Sequence, residues 1–232
     1  MTDERHSELD WNAVELVVFD VDGTLYRQDI LRRRMLQQLL LHAIARADLK
    51  PLRILSSYRQ IRESLAVAET ERFEPILVAE TAREVGCAPC DVDEVVSEWI
   101  HRRPLRLLAP CRYPFLPELF RAIKRKRKII GILSDYPAKE KMQAMELEAD
   151  YIVTAHDEAV GILKPHPRGL EVLMTIAGVL PSRTVLIGDR HDRDGAAAQR
   201  AGVTPLIRSA KSIDGWRTFA TFQDMLFVPL LG

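Results

Sequence analysis

A short apolar segment followed by two carboxylates constrains this chain more than any other feature. Leu16 to Phe19 form an uninterrupted apolar run, Asp20 and Asp22 follow it, and Gly23 and Thr24 end it. An apolar run this short, bounded by a turn signal, predicts a buried β-strand rather than a helix. Carboxylates at the end of a buried strand are costly unless a cation or hydrogen bonds compensate them. The segment therefore predicts a binding or catalytic site at a strand end.

The composition is that of an ordinary globular protein. The 232 residues suit one large domain, or a core domain with a smaller insertion. Lys and Arg number 33, as do Asp and Glu, so the charge balance favours neither a nucleic-acid nor a membrane partner. Three cysteines cannot form a closed disulfide set, which fits a reducing compartment. Because we find no signal peptide and no run near the roughly 20 apolar residues of a membrane span, we expect a cytoplasmic protein.

Strand and helix signals alternate along the second half of the chain. Strands are predicted at 129–133, 151–154, 184–187 and 203–207, and helices at 117–126, 139–148, 167–177 and 195–201. Strands separated by helices of this length imply right-handed crossovers and a parallel sheet. Together with the first strand at 15–20, the pattern predicts an α/β fold with a mainly parallel, five-stranded sheet.

The stretch between the first strand and the next strand–helix unit has helical spacing instead. Apolar residues between Leu31 and Ala43, and again between Ile54 and Leu65, each recur on one helix face. We interpret 28–103 as an inserted α-helical cap domain, and 1–27 with 104–232 as the catalytic core.

Arginines are frequent in this insert, at Arg32, Arg33, Arg34, Arg102, Arg103 and Arg106. Arginine binds carboxylates and phosphates through two parallel hydrogen bonds. We expect one or two of these side chains, with Arg102 and Arg103 as the named candidates, to reach the leaving group of an anionic or sugar-phosphate substrate.

Polar residues follow three of the predicted strands. Asp20 and Asp22 follow the first, Ser134 the second, and Gly188-Asp189 the fourth. Ligands bind outside the carboxyl ends of parallel strands. A phosphate monoester is a dianion, so a nearby cation is needed before a carboxylate can attack it. Mg²⁺ prefers oxygen ligands, which Asp20 and Asp189 would supply.

The run from Phe19 to Tyr26 closely resembles the first motif of the haloacid dehalogenase superfamily. Ser134, Lys164-Pro165 and Gly188-Asp189 follow in the order of its remaining motifs. The resemblance covers roughly 15–27 and 112–208. It implies a Rossmann-like three-layer core and hydrolysis of phosphate esters through an aspartyl-phosphate. The closest pattern is that of phosphatases with an inserted helical cap.

The resemblance also implies a role for each site residue. Asp20 would be the nucleophile, and Asp22 would protonate the leaving group, activate water and offer its backbone carbonyl to Mg²⁺. Phosphate oxygens would be bound by the residues Gly23, Thr24, Ser134 and Lys164. Asp194, five residues after Asp189, would support the metal ligands or cap the following helix. Dehalogenases of the superfamily lack the second acid, so Asp22 argues against C–halogen cleavage.

We therefore expect Mg²⁺-dependent hydrolysis of a small phosphorylated metabolite by a monomer or homodimer, with no nucleic acid and no membrane as partner. Three alternatives stay open. A phosphomutase would use the same residues on a sugar phosphate. A phosphonate hydrolase would need a lysine from the cap, where Lys50 stands alone. A non-catalytic regulatory or binding subunit would hold a partner through the basic run at 121–128, although it would not need the acids.

Overall fold

A parallel sheet forms the centre of the molecule. The structure is a computed structural model and describes residues 9–231. Its strands are β1 Leu16–Phe19, β2 Ile129–Ser134, β3 Tyr151–Thr154, β4 Thr184–Gly188, β5 Thr204–Arg208 and β6 Thr218–Phe219. Their order is β3-β2-β1-β4-β5-β6, and each neighbouring pair is parallel. The predicted α/β class and parallel sheet are confirmed.

The predicted number of strands was wrong, because the described sheet has six strands rather than five. The additional strand, β6, contains two residues and pairs with the end of β5. A strand this short cannot show an alternating pattern of apolar and polar residues, so the sequence carries no signal for it.

Helices cover both faces of the sheet. They are α6 Leu116–Arg125, α7 Lys139–Ala144, α8 Arg168–Ala177, α9 Ala196–Arg200 and α10 Val228–Leu231. Alternate residues of β1 point to opposite faces. Val17 and Phe19 pack in one apolar cluster with Leu119 of α6, whereas Val18 packs in another with Leu170 of α8. The core is therefore a three-layer sandwich.

Helix α7 ends earlier than the sequence predicts. The expected helix reached residue 148, but α7 stops at Ala144. Glu146 adopts a positive φ of 55°, a left-handed conformation that a right-handed helix cannot contain. The short α7 still positions Lys141 beside β1, which matters for the site.

The segment between β1 and β2, which lies wholly within the described residues, contains helices and no further strand of the sheet. It contains α1 Gln28–Arg46, α2 Lys50–Val67, α3 Phe73–Val85, α4 Pro89–Val96, a π-helical turn Ser97–Arg102 and α5 Leu105–Leu108. Helices α2 to α4 share a separate apolar cluster that includes Ile54, Phe73 and Val92. The division into a cap at 28–103 and a core at 1–27 and 104–232 stays a prediction.

Part of the predicted N-terminal core segment, residues 1–8, lies outside the described residues. Trp11 is buried, and its indole Nε1 donates a hydrogen bond of 2.6 Å to the carbonyl of Leu226. Cys87, Cys90 and Cys111 are all free thiols. Within residues 9–231, no helix combines the length and the hydropathy that a bilayer crossing requires.

Candidate active site

The register of the sheet gathers the predicted acids at one edge. Phe19 of β1 lies beside Ile132 of β2 on one side and Ile187 of β4 on the other. The residues that follow these three positions therefore emerge together at the carboxyl ends of adjacent strands. The order of strands changes direction at β1, which is where open α/β sheets bind ligands. Asp20 is fixed there by its backbone N–H, which donates 2.9 Å to the carbonyl of Ile187.

Lys164 forms the electrostatic centre of the site. Its Nζ donates hydrogen bonds of 2.6 Å to Oδ1 of Asp20 and 2.6 Å to Oδ1 of Asp194. All three side chains are buried. Burial alone lowers the pKa of Lys164, but Asp194 and Asp20 outweigh it and raise that pKa well above its ordinary value. Lys164 is therefore a permanent cation beside Asp20.

Asp189 faces Asp20 across Thr24. The Thr24 hydroxyl lies 2.9 Å from Oδ2 of Asp20 and 3.5 Å from Oδ1 of Asp189. Burial, together with the neighbouring Asp194 carboxylate, raises the pKa of Asp189 to about 6. Burial also raises the pKa of Asp20, against the opposing effect of Lys164. The clustered carboxylates of Asp20 and Asp189 therefore carry more negative charge than the nearby cations balance.

Gly23 allows the first turn of the site to form. It has a φ of 100°, and a Cβ added to it would lie 2.2 Å from Oδ2 of Asp189. Its carbonyl accepts a hydrogen bond of 3.1 Å from Nε of Arg208. A glycine is needed here both for the backbone conformation and for the close approach of Asp189.

The donor set fits a hard divalent cation. Carboxylate oxygens of Asp20, Asp189 and Asp194 lie within 4.8 Å of one another. Asp194 already accepts hydrogen bonds from Lys164 and from the N–H groups of Asp189 and Arg190. Asp189 accepts one long hydrogen bond among the described residues, so its oxygens are the most available to a metal. Oxygen-only ligands of this kind suit Mg²⁺.

Asp22 lies apart from that group and is bound by Lys141 of α7. The ammonium of Lys141 donates hydrogen bonds of 2.6 Å and 2.7 Å to the two carboxylate oxygens, and the Tyr26 hydroxyl donates a third. Burial alone raises the pKa of Asp22, but Lys141 and Tyr26 bring it below its ordinary value. Asp22 is therefore held as an oriented carboxylate. The predicted metal contact through its backbone carbonyl stays a prediction.

Lys141 and Arg62 are site residues that the sequence did not reveal. Arg62 comes from α2 and is buried over the ring of Tyr136, with its guanidinium carbon 3.8 Å from the ring centroid. It donates a hydrogen bond to the carbonyl of Asp135, while its Nε has no partner among the described residues. A lysine or arginine on a helix normally faces solvent, so nothing in the pattern separated these two from the rest.

Ser134 lies at the end of β2 and is buried, and its Oγ accepts a hydrogen bond of 3.1 Å from the N–H of Tyr136. In the next loop, the Lys164 N–H donates 3.0 Å to Oδ1 of Asp135. These contacts connect the loops after β2 and β3. The phosphate-binding roles of Ser134, Lys164, Gly23 and Thr24 stay predictions.

Two cavities meet at Asp22. The smaller, of about 90 Å³, is lined by Asp20, Lys164, Asp189 and Asp194. The larger, of about 340 Å³, lies between the helical segment and the sheet edge, and its walls include Lys141, Arg32 and Trp99. Asp22 belongs to the walls of both cavities. The two cavities also share Arg32 and Glu63, so a small, highly charged cavity adjoins a larger one.

Arg102 and Arg103 lie elsewhere. Arg102 is 2.7 Å and Arg103 2.6 Å from carboxylate oxygens of Glu98, and neither lines the two cavities. The guanidinium of Arg103 lies over the ring of Trp99, 4.0 Å from its centroid. The predicted role of Arg102 and Arg103 in substrate binding stays a prediction.

Comparisons with known proteins agree with this architecture. A Glyceraldehyde 3-phosphate phosphatase of Methanopyrus kandleri is 26% identical over 211 residues, covering 87% of each chain. A 2-haloacid dehalogenase of Pseudomonas syringae has a similar structure, with a TM-score of 0.62 and 19% identity over 90% of this chain and 94% of its own. A Bacillus subtilis protein described as a putative HAD-hydrolase bound to magnesium has a TM-score of 0.63 and 16% identity, over 90% and 96% of the two chains. At these identities the two structures establish the fold alone.

The family comparison covers the whole of the site. The model of the haloacid dehalogenase-like hydrolases matches residues 14–202, which include β1 to β4, the inserted helices and all the acids described above. The resemblance expected from the sequence is confirmed, as is the prediction of a hydrolytic enzyme. This chain belongs to the haloacid dehalogenase-like hydrolase family.

Proposed function

We propose that this hydrolase is a Mg²⁺-dependent phosphatase that cleaves a small phosphomonoester through an aspartyl-phosphate on Asp20. The observation that carries the proposal is the pairing of two differently held carboxylates. Asp20 contacts the Lys164 cation at 2.6 Å, while Asp22, two residues later, is bound by Lys141 at the junction of both cavities. This difference supports assigning attack on phosphorus to Asp20 and proton transfer to Asp22.

In the first step, an oxygen of Asp20 forms a bond to phosphorus and the ester P–O bond breaks. The phosphoryl dianion would repel Asp20, so positive charge at the attack position is essential. Lys164 supplies it as a compact cation, and Arg62 adds a guanidinium on the wall of the same cavity. The N–H groups that follow the carboxyl ends of β1 and β2 can donate to the transferred phosphoryl oxygens.

Asp22 serves as the proton carrier. In the substrate complex the phosphoryl dianion beside Asp22 favours the protonated form of this side chain. That form gives a proton to the departing alkoxide, and the resulting carboxylate then takes a proton from the water that attacks phosphorus. Attack by water breaks the bond between phosphorus and Asp20, which restores the free enzyme. Lys141 and Tyr26 fix the orientation of the Asp22 carboxylate between these events.

Asp20 and Asp189 would hold Mg²⁺, with Asp194 supporting them. When bound, Mg²⁺ supplies positive charge that offsets the phosphoryl dianion and the clustered carboxylates. The donor chemistry of the trio and the raised pKa of Asp189 support this assignment.

Hydrolysis of para-nitrophenyl phosphate with Mg²⁺ tests the proposal. Asp20→Asn is expected to abolish turnover. Asp22→Asn should release about one equivalent of nitrophenolate and then stop, because the first step needs no proton for this leaving group but the second lacks its base. Asp192→Asn is the matched control, since Asp192 is an exposed acid in the π-helical turn His191–Gly195 and is paired with Arg190. Unaltered turnover in Asp20→Asn would rule the mechanism out.

The competing activities are separable. The superfamily's dehalogenases lack the acid that Asp22 provides, which disfavours C–halogen cleavage despite the similar fold of the Pseudomonas syringae protein. A phosphomutase would yield an isomerised sugar phosphate instead of inorganic phosphate, so product analysis distinguishes the two. The free thiols of Cys87, Cys90 and Cys111 support the proposed cytoplasmic location. A monomer or homodimer acting without nucleic acid or membrane remains our expectation.

A further inference from the structure

The larger cavity has an uneven distribution of charge. Four charged groups other than Lys141 belong to its walls: Asp22, Glu63, Arg32 and Arg59. Asp22 is paired with Lys141 at 2.6 Å, and Glu63 is paired with Arg190 at 3.0 Å and with Arg193 at 2.7 Å. The two acids are therefore neutralised by cations that are already present.

Arg32 and Arg59 have no such partner. Neither makes a hydrogen bond or an ion pair with any residue in the described part of the chain, 9–231. They come from different helices, α1 and α2, yet they are close enough to repel each other. Desolvation lowers the pKa of Arg59, Tyr136 raises it and the Arg32 cation lowers it, with a net decrease. Both arginine side chains are exposed, so solvent screens their repulsion and both charges are accessible to an anion.

Most of the remaining wall of the cavity is apolar, with Tyr26, Gln28 and Tyr136 as its polar members. Leu31, Met35, Trp99 and Leu108 contribute to it. A cavity of about 340 Å³ lies near the lower end of the range for small-molecule sites, roughly 300–1,000 Å³. Its occupant is therefore a short molecule with a hydrocarbon part and a group that complements guanidinium.

We propose that Arg32 and Arg59 bind a second anionic group on the leaving group, so that the preferred substrate is a small phosphomonoester that also carries a carboxylate or a second phosphate. The inference rests on the proposed phosphatase function and specifies its substrate class. The ester oxygen lies at Asp22, which both cavities share, and the second anion lies at Arg59 in the larger cavity and at Arg32, which lines both. Guanidinium binds both anions through paired hydrogen bonds, so the shared chemistry defines the class.

Three compounds with one carbon skeleton test the preference. 3-Phosphoglycerate, glyceraldehyde 3-phosphate and glycerol 3-phosphate differ at a single carbon, which is a carboxylate, an aldehyde or an alcohol. Each is measured as a competitive inhibitor of para-nitrophenyl phosphate hydrolysis and as a source of released phosphate. Fructose 1,6-bisphosphate against fructose 6-phosphate forms the second arm, which distinguishes a distal phosphate from a carboxylate. Inhibition constants report binding even for a compound that is not cleaved.

We expect the anionic member of at least one series to bind about tenfold more tightly than its neutral counterparts, which corresponds to about 1.4 kcal/mol. Arg59→Ala should reduce that ratio by weakening the anionic compounds more than the neutral ones, and Arg32→Ala should reduce it too while weakening every phosphate ester to some extent, because Arg32 also lines the smaller cavity. Arg33→Ala and Arg34→Ala are matched controls, since both are exposed on α1 and neither lines the cavity.

Two results would overturn the inference: equal inhibition constants across both series, or equal losses for anionic and neutral compounds in the Arg32 and Arg59 variants. Failure of the underlying function looks different. In that case neither para-nitrophenyl phosphate nor any of the esters would release phosphate, whatever binds.

Discussion

Replacing Lys141 by methionine tests whether the contact with Lys141 enables Asp22 to act as a general acid and base. The two side chains are largely buried, with 7% and 15% of their surfaces exposed, and two hydrogen bonds of 2.6 Å and 2.7 Å join them. Methionine has a similar length and can fill the space without the charge. The substitution leaves Asp22 with Tyr26 as its remaining hydrogen-bond donor in the described residues.

The size of the effect follows from the strength of the lost contact. A hydrogen bond to a charged group is worth about 1.5–3 kcal/mol, which corresponds to about ten- to a hundredfold in rate. The contact stabilises the ionised form of Asp22, so its loss should appear where proton transfer to the leaving group turns Asp22 into a carboxylate. Alkyl phosphates expel a strongly basic alkoxide and need the proton, whereas para-nitrophenyl phosphate expels a weakly basic anion and does not.

The assay is the single-turnover rate of phosphoenzyme formation at saturating ester, because this rate starts from the substrate complex with protonated Asp22 and excludes hydrolysis of the phosphoenzyme. Lys141→Met should lower this rate for an alkyl ester by about ten- to a hundredfold, and that for para-nitrophenyl phosphate by less than about threefold. Lys139→Met, two residues earlier and exposed on the same helix, is the control. Equal losses on both esters would show that Lys141 acts on the fold or on phosphate binding, and would refute the reasoning.

Three further predictions concern the surroundings of the site. Gly23→Ala should raise the Mg²⁺ concentration needed for half-maximal activity by at least about tenfold while the protein remains folded, because the new Cβ would lie 2.2 Å from Asp189 Oδ2. A titration of activity with Mg²⁺ measures this concentration, and an unchanged value would contradict the prediction. Removal of Mg²⁺ by a chelator should abolish hydrolysis of para-nitrophenyl phosphate, and added Mg²⁺ should restore it; full activity in excess chelator would count against a metal at Asp20 and Asp189. His101→Gln should make stability less sensitive to acid. Burial and the neighbouring side chains of Lys141, His156 and Arg62 lower the pKa of His101 to about 4 from 6.5. Because the unfolded chain therefore takes up the proton first, wild-type stability falls as the pH drops through this window. The variant should recover about 1 kcal/mol of the loss between about pH 7 and pH 5 in urea titrations, after allowance for partial solvent screening; an unchanged loss would mean that His101 does not couple to folding.

The site residues that lie at the ends of strands could be predicted from the sequence. The acids after β1 and β4 meet because parallel strands with matched register end at one edge, as Phe19 beside Ile187 shows. Local sequence reports the ends of buried strands, so the meeting of Asp20 and Asp189 followed from it. The strand β6 could not be predicted in the same way, since its two residues carry no period.

Residues that act across the interior left weaker signals. Lys141 is separated from Asp22 by 119 positions in the chain, and its burial depends on how α7 packs against the loop after β1. Its neighbours Lys139 and Glu140 are exposed, so composition gave no reason to single out Lys141. The early end of α7 at Ala144 likewise depends on a backbone conformation at Glu146 that charge and hydropathy do not encode.

Helical periodicity indicates which arginines of the helical segment lie beside a buried helix face. Successive helix residues are about 100° apart, so Arg32, Arg33 and Arg34 point in three directions. Buried Leu31 and Met35 define the inner face of α1, and Arg32 lies beside Leu31 and one turn before Met35, at the border of that face. Arg59 stands four residues after buried Leu55 and three before buried Arg62, and it is exposed at the border of the buried face of α2. Border positions on two adjacent helices are where long cationic side chains can extend over an apolar wall to a shared anion.

Arg102 and Arg103, by contrast, both lie within reach of Glu98, which binds them and gives them a counter-charge of their own. The pair without a counter-charge is therefore the one whose loss should be felt by an anionic substrate.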